Sequence, residues 1–279
     1  MEAFYINLDT ATLRRQAIEA SFKQAAKPGW NLHRFAAAAI ANPAYAGPRL
    51  RHVGPGRKLS LGEEGCYLSH RSVIDRQAQT GAPFMVLEDD AIFAPPSLSL
   101  IEGFLNSGQA NEWDLIFTDV IIPDANGMLE LFRMKQSLRP GQVRVLDLAA
   151  RGFAGASAYI VMPKAAAKLA ERLHDPALES VPYDMAVRRL VYGKELRACM
   201  LFPFPTTVGE TAQDSQIQDT AASTADLLWN TYRQMVWLGA QGTPVEGVLK
   251  QIDARHVDAP ARDLGIILSA LASRSYKPK

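Results

Sequence analysis

Long apolar runs are missing from this chain. No segment approaches the roughly 20 consecutive apolar residues needed to cross a bilayer. The opening Met1-Glu2-Ala3-Phe4-Tyr5-Ile6-Asn7 lacks the basic stretch and apolar core of a secretory leader. A cytoplasmic chain is therefore expected, with peripheral contact at the inner face of a membrane left open. Cysteine is scarce as well. Cys66 and Cys199 form no CxxC pair and are too few for a disulfide framework, so two reduced, partly buried thiols are expected. His33, His52, His70, His174 and His256 show neither HxxxH nor HExxH spacing, and structural zinc is not expected. Charge of one sign is not in excess: 30 Lys plus Arg face 29 Asp plus Glu, a net charge of +1. So small a charge gives little long-range field for a polyanion, and no nucleic-acid partner is expected.

What is present is a globular composition, with 48% hydrophobic and 21% charged residues over 279 positions. That length accommodates one large α/β domain with additions or two small domains. Ala3–Leu8 reads as a short buried strand. A helix-period segment follows, with Leu13, Ala17, Ile18, Phe22 and Ala25 on one face. Residues 41–58 hold Asn42-Pro43, Gly47-Pro48 and Gly54-Pro55-Gly56 among Arg49, Arg51, Arg57 and Lys58, the pattern of a long basic loop. Ser60-Leu61-Gly62-Glu63 has capping-box spacing and predicts a helix running to about Thr80.

Pro83–Leu87 is a continuous apolar run that stops at Glu88-Asp89-Asp90 and predicts a central strand ending in acids. Further strands are predicted at Trp113–Thr118, Val143–Leu148, Gly155–Met162 and about Leu196–Phe202, with helices opening at Pro163 and Pro182. Beyond about Thr220 the pattern is helical, near 224–239 and 261–273, with no catalytic-looking cluster. The expected organisation is thus a mostly parallel sheet covered by helices on both faces over 1–219, and a helical extension over 220–279. Helix 224–239 is apolar on more than one side, through Leu227, Leu228, Trp229, Tyr232, Met235, Val236 and Leu238, and is expected to pack between elements.

The acids carry the chemistry. Three adjacent carboxylates after a hydrophobic strand repel one another unless solvent or a cation relieves them. Side chains two apart on a strand share a face, so Glu88 and Asp90 would project together and Asp89 elsewhere. Carboxylate oxygens suit Mg²⁺ or Mn²⁺, ions that commonly complete their shells with substrate phosphates.

Gly62-Glu63-Glu64-Gly65-Cys66-Tyr67-Leu68-Ser69-His70 followed by Leu87-Glu88-Asp89-Asp90-Ala91 resembles the signature of glycosyltransferase family 25, the lipooligosaccharide and collagen galactosyltransferases. Ile6-Asn7-Leu8 with Arg14-Arg15, Gly155–Ile160 and Pro182-Tyr183-Asp184 resemble the family's other segments, in order. The resemblance implies a GT-A fold and a metal-dependent inverting transfer from a UDP-sugar, usually UDP-galactose, onto a glycan or glycolipid such as a lipopolysaccharide. It implies Asp90 as ligand of Mn²⁺ (or Mg²⁺), with Glu88 completing the metal shell or contacting the ribose. Asp89 is then expected to orient donor-sugar hydroxyls, and Asn7, Leu8, Arg15 and His70 to contact the donor. Asp184 is the implied catalytic base. A catalytically silent GT-A protein that binds nucleotide-sugar or glycan is the alternative, as is a transferase using another UDP-sugar and a protein-linked acceptor. Met185 stands where collagen-type relatives carry a second acid, and Asp214-Ser215-Gln216-Ile217 only loosely matches the family's terminal S-D-I.

Overall fold

A computed structural model describes residues 1–50, 57–209 and 224–240, together with Asp263 and Ile267. The chain opens β1 (Glu2–Asn7), α1 (Thr12–Gln24), β2 (Asn31–Ala36), α2 (Leu61–Gln77), β3 (Phe84–Glu88) and β4 (Ala91–Phe93). It continues with α3 (Ser97–Asn106), β5 (Leu115–Ile121), α4 (Ala125–Ser137), β6 (Arg144–Asp147), β7 (Ala154–Val161), α5 (Pro163–Arg172), α6 (Pro176–Glu179) and α7 (Tyr183–Tyr192). Last come β8 (Ala198–Phe202), β9 (Thr206–Val208) and α8 (Thr224–Val236), and short 3-10 turns lie at Gln109–Glu112 and Leu148–Ala150.

Seven strands form one sheet in the order β2-β1-β3-β7-β5-β8-β6. β2, β1, β3, β5 and β8 point one way, while β7 and β6 run against them. The sheet is therefore mostly parallel, as expected, with one reversed strand inside it and one at its edge. β3 shows why its apolar run is unbroken. Met85 and Leu87 face a core built with Ile18 and Phe22 of α1 and Leu98 and Ile101 of α3. Phe84 and Val86 face the opposite core, built with Val73 and Ile74 of α2, Leu169 of α5 and Leu190 of α7. A strand covered on both faces has no polar side to show.

Local signals act as their chemistry requires. Ser60 Oγ accepts from Glu63 N at 3.1 Å, and the Glu63 carboxylate accepts from Ser60 N at 2.8 Å, closing the capping box of α2. Pro163 occupies the first turn of α5, where its missing N–H costs nothing. Pro182 is instead the residue before α7.

Other positions depart from expectation. Leu13, assigned to the buried face of α1, is 74% exposed, and Ile18 and Phe22 carry that contact. β2 escapes a hydrophobic-pattern reading because it is an edge strand holding Asn31, His33 and Arg34. β4 and β9 pair as a separate three-residue ribbon, too short to show periodicity.

Helix α8 packs between elements. Tyr232 and Val236 are fully buried in the core, and Tyr232 OH donates to Met128 O of α4 at 2.7 Å. The proposed boundary at 219/220 and most of helix 261–273 lie outside the described residues. Asp263 and Ile267 are both helical and buried. Among the described residues, no helix is long and apolar enough to cross a membrane.

Candidate active site

From β1 the chain passes to β2 on one side and later returns to β3 on the other, so the carboxyl ends of β1 and β3 lie at a topological switch point. In open α/β sheets that is where a ligand crevice forms. A cavity of about 720 Å³ opens there, within the range of small-molecule sites. Its walls are the residues after β1 (Leu8, Asp9, Thr10), those after β2 (Ala37–Asn42), the start of α2, and Glu88, Asp89 and Asp90 after β3.

The three acids point to different partners, because the chain turns at Asp89-Asp90 as it leaves the large sheet for the β4–β9 ribbon. Gly209 N donates to Asp90 O at 2.8 Å and pins that turn. Asp89 is held on the β1 side: Asn7 Nδ2 donates to Oδ2 at 2.7 Å, and Arg14 Nη1 donates to Oδ1 at 3.0 Å. Asn7 is itself fixed, accepting from Arg34 Nε at 2.9 Å and donating to Ala11 O at 3.0 Å.

Glu88 turns toward α2, with Oε1 lying 3.5 Å from His70 Nε2 and 3.9 Å from Cys66 Sγ. Burial opposes its charge, yet His70 beside it, then Arg233 and Arg14, hold its carboxyl below the usual range. Asp90 behaves oppositely. Burial, and then the charge of Glu88, push it up to about 7, and its Oδ1 is buried without a hydrogen-bond partner. A carboxylate so placed gains most from a cation.

Behind the acids lies a residue the sequence pattern did not reveal. Arg233 of α8 is 3% exposed and grips the fully buried Asp119 of β5, with Nε 2.9 Å from Oδ1 and Nη2 on Oδ2. Nη2 also donates to Ser157 Oγ at 2.8 Å. Helix 224–239 thus carries a charged group whose field reaches Glu88 and Asp90, although no catalytic-looking cluster was expected there.

The expected site residues divide. Leu8, His70, Glu88, Asp89 and Asp90 all line the cavity, and Asn7 stands directly behind Asp89. Arg15 does not: it lies half exposed on the solvent side of α1, paired with Glu19 at 3.0 Å, while Arg14 lines the cavity. Two neighbours on a helix point about 100° apart, so one arginine of the pair must face out. Asp184 is outside the cavity wall, where its Oδ2 accepts from Gly155 N at 3.0 Å and ties α7 to the start of β7.

Of the basic loop, Arg49 forms a two-pronged pair with Glu64 at 2.7 and 2.8 Å, and Arg57 pairs with Glu63. Lys58 lines the cavity, and Arg51 is outside the described residues.

The cavity also borders an unusually close packing contact. A Cβ at Gly65 would sit 2.6 Å from Ala38 O, so glycine lets α2 press against the segment leaving β2. Ser69 Oγ locks the contact by accepting from Ala38 N at 2.9 Å and donating to Gly65 O at 2.6 Å.

Comparison with known proteins adds three findings. No curated protein matches the chain. Among solved structures, galactosyltransferase LgtC, determined in complex with donor and acceptor sugar analogs, is 13% identical with a TM-score of 0.35. The match covers 72% of this chain and 73% of that one. The sequence profile of glycosyltransferase family 25 (LPS biosynthesis protein) matches residues 1–187, a span that takes in β1, α2, the acids after β3, β7 and the start of α7. The chain belongs to glycosyltransferase family 25.

Proposed function

We propose that this protein is an inverting, metal-dependent hexosyltransferase that moves galactose from UDP-galactose onto a lipopolysaccharide, lipooligosaccharide or other glycan acceptor. The observation that carries this reading is Asp90, a cavity-lining acid with a buried, unpartnered oxygen beside a second carboxylate at the carboxyl end of β3. Asp90 would hold Mn²⁺ (or Mg²⁺), with Glu88 as the second acid. The donor set is all oxygen, as these hard cations prefer. When bound, the ion would offset negative charge developing on the departing nucleoside diphosphate.

The chain's own residues supply position. Asn7 and Arg14 fix the Asp89 carboxylate at the cavity wall, where it can accept from hydroxyls of the donor sugar. Leu8 and Ile6 give the cavity an apolar wall at the end of β1, suited to a nucleotide base. Lys58, also on the cavity wall, provides a cation for the diphosphate. Asp184 is the proposed base by resemblance to the family's P-x-D segment; Gly155 N holds its Oδ2, and Oδ1 is the atom that would take the acceptor proton.

The test is UDP release from UDP-galactose with a lipooligosaccharide core as acceptor, with and without Mn²⁺. Turnover is expected only with the ion and is expected to vanish in Asp90→Ala. Turnover that survives both chelation and Asp90→Ala would overturn the metal reading. UDP-sugar binding without turnover across a broad acceptor panel would overturn the enzymatic one.

A further inference from the structure

We infer that Cys66, His70 and Glu88 form a second cation site, selective for a zinc-like ion and separate from the hard-cation position at Asp90. One thiol, one imidazole nitrogen and one carboxylate oxygen from these residues all lie within 4.8 Å of one another. The closest approaches are 3.5 Å from His70 Nε2 to Glu88 Oε1 and 3.9 Å from Cys66 Sγ to the same oxygen. In a tetrahedral zinc site with bonds of about 2.0 to 2.3 Å, ligand atoms stand roughly 3.3 to 3.8 Å apart. Only small side-chain adjustments separate the observed arrangement from a bound one.

The scaffold is rigid. Cys66 and His70 are four residues apart on α2, so they project from one face a single turn apart, and Glu88 is the last residue of β3.

His70 supplies the second observation. Its ring is fully buried, yet Nε2 has no hydrogen-bond partner. Nδ1 lies 3.0 Å from Tyr159 OH, which is in turn 2.6 Å from Tyr183 OH. Stacking on Tyr183, with ring centroids 4.2 Å apart, fixes the ring plane. Without an ion, a proton on Nε2 faces Glu88 Oε1 at 3.5 Å and favours the charged carboxylate; with the proton on Nδ1 instead, donated to Tyr159, the Nε2 lone pair faces Cys66 and Glu88 and is open to a cation. Metal-binding histidines are held in this way, by a hydrogen bond from the other ring nitrogen. A buried polar atom without a partner calls for an explanation, and a cation supplies one.

The ligand set names the ion class. Thiolate and imidazole favour Zn²⁺ or Co²⁺ over Mg²⁺ and Mn²⁺. On binding, the Cys66 S–H bond breaks, its proton leaves to solvent, and the sulfur lone pair forms the metal–sulfur bond. All three residues line the cavity, so a fourth position stays open to water or to an oxygen of a bound molecule. Because Glu88 borders both positions, a zinc-like ion here would draw it away from Asp90.

The experiment is titration of the purified full-length protein with Co²⁺, followed by absorbance. Wild type should show a thiolate-to-cobalt charge-transfer band in the near ultraviolet and intense visible bands of four-coordinate cobalt. Excess Zn²⁺ should erase them, and excess Mg²⁺ should not. Cys66→Ser should lose the charge-transfer band, Cys199→Ser should keep it, and His70→Gln should weaken cobalt binding by more than about tenfold. Asp90→Asn should retain the spectrum, which separates this site from the transferase reading, since no turnover is required. A wild-type protein without the band, a band that persists in folded Cys66→Ser, or one that Mg²⁺ erases as readily as Zn²⁺ would each overturn the assignment.

Discussion

Arg233→Met keeps most of the bulk of the side chain and removes its guanidinium, which leaves the Asp119 carboxylate with no cation in a place fully closed to water. Arg233 donates to both oxygens of Asp119, to Ser157 Oγ and to Asn230 Oδ1, so the substitution deletes a two-pronged pair and two further hydrogen bonds. Breaking one side of a buried pair costs about 3 to 5 kcal/mol, a large part of the stability of an ordinary domain. Burial already raises the Asp119 pKa despite the attraction of Arg233, and losing the arginine raises it further.

The folded state then holds a proton that the unfolded state releases. The contribution of Asp119 to stability is therefore greatest at low pH and is lost as pH rises from the unfolded carboxylate value through the folded one. Urea unfolding of Arg233→Met should thus show a deficit that widens as pH rises above the ordinary carboxylate value. Asp119→Leu combined with Arg233→Met should recover much of the loss, because an apolar pair needs no desolvated charge. A single-variant cost below about 1 kcal/mol, the range of an exposed pair, would refute the burial argument. So would a double variant as unstable as the sum of both singles.

Three other expectations are open to direct measurement. Gly65→Ala places a methyl 2.6 Å from Ala38 O, a backbone atom that cannot swing aside. It should cost about 1 to 3 kcal/mol by overpacking, read as a fall in Tm, and should weaken UDP binding because the displaced segment lines the cavity. Lys135 donates to Met235 O at 2.5 Å and Trp237 O at 3.0 Å, across the carboxyl end of α8, and burial pushes its ammonium down to about 8 from 10.5. Between those values the unfolded chain binds the extra proton, so this residue makes stability rise with pH from about 8 to 10.5, and Lys135→Met should flatten that part of the profile in urea titrations. Asp184→Asn should lower kcat while sparing KM for the donor. A normal kcat accompanied by lower Tm would instead restrict Asp184 to its tie with Gly155.

What could be read directly from the chain was whatever its neighbours in sequence determine. β3 announced itself through an apolar run closed by three acids, because burial on both faces removes polar alternation and the carboxylates mark the rim of the sheet. The capping box of α2 and the proline at the start of α5 were legible for the same reason: each satisfies or removes a hydrogen bond within one helical turn. Partners distant in the chain leave no such mark. Asp119 and Arg233 are 114 residues apart, and neither looks unusual among its neighbours until α8 packs against β5. The choice between Arg14 and Arg15 depends on helix phase, and an exposed Leu13 at the start of α1 offers no apolar anchor from which to set it. Cys66 and His70 carry no recognisable ligand spacing, since one thiol and one imidazole four residues apart match neither CxxC nor HxxxH. Their third partner, Glu88, arrives from another strand. The acids of the site were therefore visible as a concentration of charge, whereas the groups that set their behaviour, His70, Arg14 and Arg233, are selected by the packing of α2, α1 and α8 around the end of β3.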